Sequence, residues 1–265
     1  MTLPYVSVVV PVFNGAHFIE ANTKHITTAL EDLHAPFEVI VVCDGSSDGT
    51  AEAARRVDDP RVRVLRCSVN AGKGNAILHG VAEARGRLVG WLDADLEAPP
   101  SLLVEAARRF EEGTVDAVIA SKRHPDSVVR YPAIRRMYSW GFQLLVAVLF
   151  RINVRDTQVG AKLFRREMLD LVAPLVLVKR HAFDLEILVV GAEFGFDRIK
   201  ETPVELAYGF SATSINWRAV KWMLQDTLAI AYRIHVRHYY VRRYASRERE
   251  RMDETAPPHT IQVTK

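Results

Sequence analysis

The chain has 265 residues, 49% hydrophobic and 25% charged, with a formal net charge of +3; at this size one large domain, or a domain with a small appendage, buries enough apolar surface to need no disulfide or structural metal. Its two cysteines, Cys43 and Cys67, sit in apolar strand-like stretches and read as buried thiols; a bridge between them stays open, and nothing points to a secreted disulfide scaffold. The start, Met1-Thr2-Leu3-Pro4-Tyr5, lacks the basic region and cleavage site of a signal peptide, and the longest apolar run, Trp140 to Phe150 between Arg136 and Arg151, falls well short of the ~20 residues of a spanning helix. A cytoplasmic protein that is not integral to the membrane is expected.

In chain order, Val6 to Val12 is a continuous β-branched run, followed by Glu38 to Cys43, Val62 to Arg66, Leu88 to Leu92 and Asp116 to Ala120. Runs apolar on both faces suit strands of a parallel sheet covered on each side. Between them, Asp48 and Thr50 can cap a helix through Arg55, and Gly72 to Ala84 and Pro100 to Phe110 carry helical spacing. The alternation predicts an α/β, doubly wound, mostly parallel sheet flanked by helices. Polar clusters stand at the ends of four strands: Phe13-Asn14-Gly15, Asp44 to Gly49, Asp93-Ala94-Asp95 and Ser121-Lys122-Arg123. Ligands of open parallel sheets bind at the carboxyl ends of strands, so these clusters are expected to share one edge.

The second half is less regular. Tyr138 to Phe150 and Trp217 to Val236 predict amphipathic helices, the latter with Trp217, Val220, Leu224, Leu228, Ala231 and Ile234 at helical spacing. Arg233, Arg237, Arg242, Arg243, Arg247, Arg249 and Arg251 are interleaved with Tyr232, Tyr239, Tyr240 and Tyr244, an asymmetry that favours an anionic surface as partner. From Ala245 onward the charged, Pro-containing sequence predicts a disordered tail.

Asp93 and Asp95 stand one residue apart just past a buried strand. Hard oxygen ligands of this kind suit Mg²⁺ or Mn²⁺, which keep positions open for phosphate oxygens and water. The Asp44-Gly45-Ser46-Ser47-Asp48-Gly49-Thr50 string offers tight turns and then a helix N-terminus favourable to anions, with Asp44 able to accept from a base N–H. Read alone, the string equally suits a plain turn and cap. Asn70-Ala71-Gly72-Lys73-Gly74 places a lysine between glycines and is too short for a Walker loop.

In combination, V-V-V-P-V-F-N, D-G-S-S-D-G-T, N-A-G-K-G-N-A and W-L-D-A-D-L-E-A-P-P, in this order, resemble the family 2 glycosyltransferases of the GT-A fold. Within that family the resemblance is strongest to polyprenyl-phosphate sugar synthases of the dolichyl-phosphate β-glucosyltransferase kind. It rests on Ser121 to Ser127, Arg135 to Ser139, Arg155 to Phe164 and Ala182 to Glu186, and runs from about Val6 to about Ser214. The resemblance implies that Pro11, Phe13 and Asp44 line the nucleoside site with Lys73 nearby. It implies that Asp93 and Asp95 hold metal and diphosphate, with Glu97 as a further ligand. Arg123 and Arg135 would grip an acceptor phosphate, and Asp156, Gln158 and Asp184 would shape the sugar and acceptor pocket. Asp184 matches the position that serves as base in relatives with hydroxyl acceptors. Two departures lie on the nucleoside side: Asn14-Gly15 where the family commonly has Asn-Glu, and Cys43-Asp44-Gly45 where it has Asp-Asp-Gly.

The expected function is inverting transfer of a hexose, glucose favoured, from a nucleotide-diphosphate sugar to polyprenyl phosphate at the cytoplasmic membrane face. UDP-glucose is the favoured donor, with GDP-mannose as the alternative. A phosphate acceptor suits the arginines, since a phosphate monoester is ionised near neutral pH and needs positioning more than proton removal. Residues 1–215 form the expected GT-A domain, 216–244 a basic amphipathic segment facing the membrane, and 245–265 the tail. A transferase acting on a saccharide hydroxyl, and a GT-A domain that binds nucleotide sugar without turnover, stay open as alternatives. Nucleic-acid binding has no recognised motif behind it.

Overall fold

The computed structural model describes residues 3–129, 133–180, 182–206 and 217–255, without the side chains of 133–139, 206, 219 and 251–255. β1 (Val6–Val12) leads through α1 (Ile19–Leu30) to β2 (Phe37–Asp44), then to α2 (Thr50–Arg55), β3 (Val62–Cys67), α3 (Lys73–Glu83) and β4 (Leu88–Leu92). Next come α4 (Ser101–Glu111), β5 (Ala117–Ser121), the short β6 (Val128–Val129) and the long α5 (Ala133–Phe150). β7 (Ala161–Arg165), α6 (Arg166–Val172) and α7 (Phe183–Glu193) follow, then β8 (Ile199–Pro203), β9 (Glu205–Leu206), α8 (Trp217–His235) and α9 (Tyr239–Thr255).

The strands expected from β-branched runs form where they were read, with ends that differ by one residue at most. β-branched side chains are stiff and pack well on a pleated surface, which is why those runs are legible. They make one sheet in the order β3-β2-β1-β4-β7-β5-β8, and β6 pairs with β9 apart from it. Every pairing in the large sheet is parallel except those of β7, which runs antiparallel to β4 and β5. β7 was not among the expected strands, because Lys162 interrupts its apolar pattern. It separates β4 from β5, and being antiparallel it begins at the edge where they end. That is how the loop ahead of it, Asp156 to Gly160, reaches the same edge as the strand-end clusters.

Helices cover both faces. One core combines Val8 and Val10 of β1 and Val39 and Val41 of β2 with Ile19, Ile26 and Leu30 of α1 and Leu102, Leu103 and Phe110 of α4. The other combines Val9, Ile40 and Trp91 with α3, α6 and α7, and with Ile230 and Ile234 of α8 and Tyr240 of α9. Cys43 belongs to the first core and Cys67 packs against the second, so they face opposite sides of the sheet and both are free thiols. Burial pushes the Cys43 thiol up to about 11.

The C-terminal part differs from expectation in two ways. The stripe read along α8 splits: Trp217, Leu224 and Leu228 are exposed, whereas the core face is Thr227, Ile230, Ala231 and Ile234. The segment 216–244 is also two helices, with His238 at φ 46° in the break between them. α9 then continues to Thr255, so residues 245–255, read as disordered tail, are helical. The first turns of α9 are anchored: Tyr240 is buried, and Tyr244 packs edge-on against Phe194 with ring centres 5.3 Å apart. The Arg and Glu residues beyond are good helix formers that propagate from that anchor. Residues 256–265 lie outside the described residues, as does Ser214. No described helix is long and apolar enough to cross a membrane.

Candidate active site

Short polar side chains staple the ends of β1 and β2 together. Asn14, at φ 51°, donates its amide to Ser46 Oγ at 3.0 Å and accepts the Ser47 amide on Oδ1 at 3.0 Å. Gly15 donates to Thr50 Oγ1 at 2.9 Å, and Ala16 to Asp48 Oδ2 at 3.0 Å. Asp48 Oδ1 accepts the Thr50 amide at 3.1 Å, at the start of α2. The Thr50 hydroxyl and then the Ala16 amide hold the Asp48 carboxyl below its ordinary value. A Cβ on Gly15 would lie 2.6 Å from the Phe18 ring and 2.7 Å from Val12. The glycine at this departure from the family pattern is therefore a packing requirement here, and the Cys43 departure faces the core.

Asp44 is buried, and both its oxygens are engaged: Oδ1 accepts the Ala71 amide at 3.0 Å and Oδ2 the Gly72 amide at 2.9 Å. It shapes the loop that ends at Lys73, the first residue of α3. The Lys73 ammonium lies 2.5 Å from Asp93 Oδ1. Burial pulls the Lys73 pKa down, but attraction from Asp93, Asp184 and Asp95 outweighs it and leaves the group raised. Lys73 is thus a fixed cation on the acidic side of the site.

Asp93 donates its amide to the Gly160 carbonyl at 3.1 Å, and a Cβ on Gly160 would fall 2.1 Å from Asp93 Oδ2. Asn22 of α1 donates to the Ala94 carbonyl at 2.8 Å, and Leu96 turns the chain at φ 55°. Asp95 is exposed, and its Oδ1 accepts the Glu97 amide at 3.2 Å. Glu97 so contributes its backbone; among the described residues no three acidic, histidine or cysteine side chains gather into a metal-sized cluster. Magnesium-like cations commonly take one or two carboxylates and complete their shell with phosphate oxygens and water. Asp93, already facing an ammonium, and Asp95, open to solvent, fit that pattern.

A cleft of about 310 Å³ opens between these groups, lined by Pro11, Phe13, Asp44, Asn70, Lys73, Asp93 and Asp95, among others. Phe13 is 52% exposed, a flat apolar wall at the cleft. Asp184 lies close enough to Lys73 to act on its charge. Its Oδ1 takes the Lys162 ammonium at 2.8 Å and Trp91 Nε1 at 3.1 Å. Lys162 is itself buried and also donates to the Val159 carbonyl.

A second group stands on the same edge, at the end of β5 and the approach to β7. Asp156 accepts the Lys122 amide on Oδ2 at 3.1 Å and the Gln158 amide on Oδ1 at 2.9 Å. It thereby fastens the Asp156–Gln158 turn to the segment that carries Arg123. The Arg123 amide donates to Ser121 Oγ at 3.3 Å, and the exposed Gln158 bonds Thr157 Oγ1 at 3.1 Å. Glu201 of β8 accepts the Arg155 and Asp156 amides at 2.7 and 3.2 Å. The side chain of Arg135 lies outside the described residues.

The structure thus brings Pro11, Phe13, Asp44, Lys73, Asp93 and Asp95 around one cleft, with Asp156, Gln158 and Arg123 in the neighbouring group. Sequence reasoning missed Asn22 and Glu201, and assigned no role to Gly160 and Lys162 within the Arg155 to Phe164 stretch. A lysine inside an apolar strand was the signal available for Lys162. Nothing local marks Asn22 or Glu201, because their partners lie 72 and 45–46 residues away.

A family model described as glycosyl transferase family 2 matches residues 7–172. Glycosyltransferase AglD of Haloferax volcanii is 35% identical over 205 residues, covering 76% of this chain and 32% of that protein. A dolichyl-phosphate beta-glucosyltransferase of Dictyostelium discoideum is 30% identical over 205 residues, covering 69% of this chain and 61% of that one. The chain therefore spans about a third to about six-tenths of these curated relatives. Among solved structures, glucosyl-3-phosphoglycerate synthase from Mycobacterium tuberculosis, in complex with Mn²⁺, UDP-glucose and phosphoglyceric acid, superposes with a TM-score of 0.65 at 19% identity. That likeness covers 86% of this chain and 80% of the other, and it bears on the fold alone.

Proposed function

With a family match over more than half of its length, the chain belongs to glycosyl transferase family 2, and on that premise we propose that it transfers glucose, with inversion, from UDP-glucose to a polyprenyl phosphate. The observation that carries the reading is the single cleft in which Phe13, Asp44, Lys73, Asp93 and Asp95 converge. Glucose is supported by the name of the Dictyostelium relative, and UDP-glucose with Mn²⁺ by the contents of the superposed synthase; GDP-mannose finds no support among them.

In this reading Phe13 and Pro11 flank the base. Asp44 holds the 70–72 loop in shape, so the Lys73 ammonium reaches the diphosphate. Asp93 and Asp95 would hold Mg²⁺ or Mn²⁺, which supplies charge neutralisation to the diphosphate as it leaves. Gly160 and Asn22 fix where the two carboxylates stand. Arg123 and Arg135 meet the acceptor, because guanidinium pairs with phosphate through two parallel bonds.

A phosphate acceptor is supported by how Asp44, Asp156 and Asp184 are engaged. A hydroxyl acceptor needs a carboxylate free to take its proton. Asp44 and Asp156 each have both oxygens bonded to protein, and Asp184 is tied to Lys162 and Trp91. An ionised phosphate makes no such demand, its second pKa being about 6.

The lipid side is supported by exposed apolar residues at helical spacing. Trp140, Leu144 and Val148 recur every fourth residue on α5, and Leu224, Leu228 and Tyr232 do so along α8, with Trp217 two turns ahead of Leu224. With arginines following in α9, this is the composition of an interfacial helix pair, peripheral on the cytoplasmic face. Residues 1–215 would carry the transfer chemistry, and α8 and α9 beyond them, together with the exposed face of α5, the membrane contact.

Acceptor competition tests the reading. With UDP-glucose and Mn²⁺, a polyprenyl phosphate should be glucosylated and the matching free polyprenol should not. Equal transfer to the free alcohol would overturn the phosphate assignment and return Asp184 to the role of base.

A further inference from the structure

Glu186, in the first turn of α7, is completely buried, and its two oxygens serve different parts of the molecule. Oε2 accepts the backbone amides of Leu177 and Val178, at 3.0 and 2.7 Å. Oε1 accepts the Tyr240 hydroxyl of α9 and, at 3.2 Å, Nη1 of Arg233 of α8. The segment held on Oε2 continues directly to the cleft. The Lys179 carbonyl accepts the Gly74 amide at 3.0 Å, and a Cβ on Gly72 would lie 2.7 Å from that same carbonyl. From the same helix as Glu186, Phe183 closes the other side: a Cβ on Gly74 would lie 2.7 Å from its ring. Both glycines that flank Lys73 therefore rest on residues whose place Glu186 or its helix fixes. Arg180 adds a second tie, stacked over Trp222 of α8 with 5.6 Å to the ring centre.

A carboxylate taken wholly out of water is tolerable only while its lone pairs stay satisfied. Here four donors satisfy it, and they come from three separate segments. Moving α8, α9 or the 177–178 backbone independently would strip the buried charge of a partner, so the three are constrained to move together. Resting on the donor site proposed above, we propose that Glu186 is a positioning residue that couples the seating of α8 and α9 to the lip of the donor cleft, setting where Gly72, Lys73 and Gly74 lie. A surface that engages the exposed face of α8 then acts on nucleotide binding through one buried carboxylate.

Tyr240→Phe and Arg233→Met each remove one donor to Oε1 and leave the cleft residues intact. Phe110→Leu, in the core on the opposite face of the sheet from α7, α8 and α9, controls for loss of stability alone. UDP affinity would be measured by calorimetry with Mn²⁺, and amide hydrogen exchange would be followed at Gly74, Leu177 and Val178. The coupling predicts that Tyr240→Phe and Arg233→Met weaken UDP binding by roughly fivefold or more. It also predicts faster exchange at Gly74, while Phe110→Leu with a matched loss of Tm leaves both at wild-type values. Unchanged UDP affinity and Gly74 exchange, or changes no larger than those of Phe110→Leu, would overturn it. If the wild type binds no UDP, the donor-site reading falls instead. The exchange of Gly74 then decides the coupling alone, faster exchange supporting it and wild-type exchange overturning it.

Discussion

Carboxylates that look interchangeable in the sequence divide sharply once the chain is folded. Asp44, Asp156 and Glu201 accept backbone amides and hold loops; Asp184 and Glu186 are buried against cations; Asp95 lines the cleft, exposed, with its own turn's amide on Oδ1. Spacing and a strand end made Asp93 and Asp95 legible, because those signals are local. The partners of Asp184 and Glu186 were not, because a buried charge is explained by what folds onto it from elsewhere. Gly160 illustrates the same limit. Its motif is readable, but its reason is the Asp93 carboxylate standing where a side chain would be. Gly160→Ala should therefore displace Asp93 and weaken Mn²⁺ binding in the presence of UDP by roughly 10–100-fold, the scale of losses at residues that orient metal ligands. Electron paramagnetic resonance of free Mn²⁺ reads this directly, and wild-type Mn²⁺ affinity would contradict the placement.

Among the elements, the early strands and helices followed from β-branched runs and turn chemistry, while β7 and α7 were obscured by the charges they bury. The amphipathic reading of α8 identified a helix but merged two faces. Ile230 and Ile234 are core, and Leu224 and Leu228 lie outside it. A period of 3.6 residues cannot by itself say which side of a wide apolar helix meets the protein. The exposed side is where membrane contact is proposed. Replacing Leu224 and Leu228 together by glutamate should leave the fold's Tm nearly unchanged. It should cut sedimentation with phosphatidylglycerol vesicles by at least about tenfold, since burying one leucine is worth about 1.5–3 kcal/mol. Vesicle binding equal to that of the wild type would place the contact elsewhere.

At the scale of the whole molecule, a sheet with one antiparallel insertion collects groups from distant stretches of chain at a single edge. α3, α7, α8 and α9 lie on the same face of that sheet, sharing one core. Cleft, buried hub and exposed helices are thus neighbours, and a modest net charge of +3 conceals the basic C-terminal part. The reaction proposed for this arrangement moves glucose onto a lipid phosphate, with Asp93 and Asp95 as metal ligands. It is tested most directly by incubating the protein with radiolabelled UDP-glucose, polyprenyl phosphate and Mn²⁺, then counting label in the organic phase. Label should appear there, vanish on chelation, and fall by roughly 100-fold or more in Asp95→Ala. Label that stays in the aqueous phase with active wild-type protein, or transfer that survives both chelation and Asp95→Ala, would contradict it.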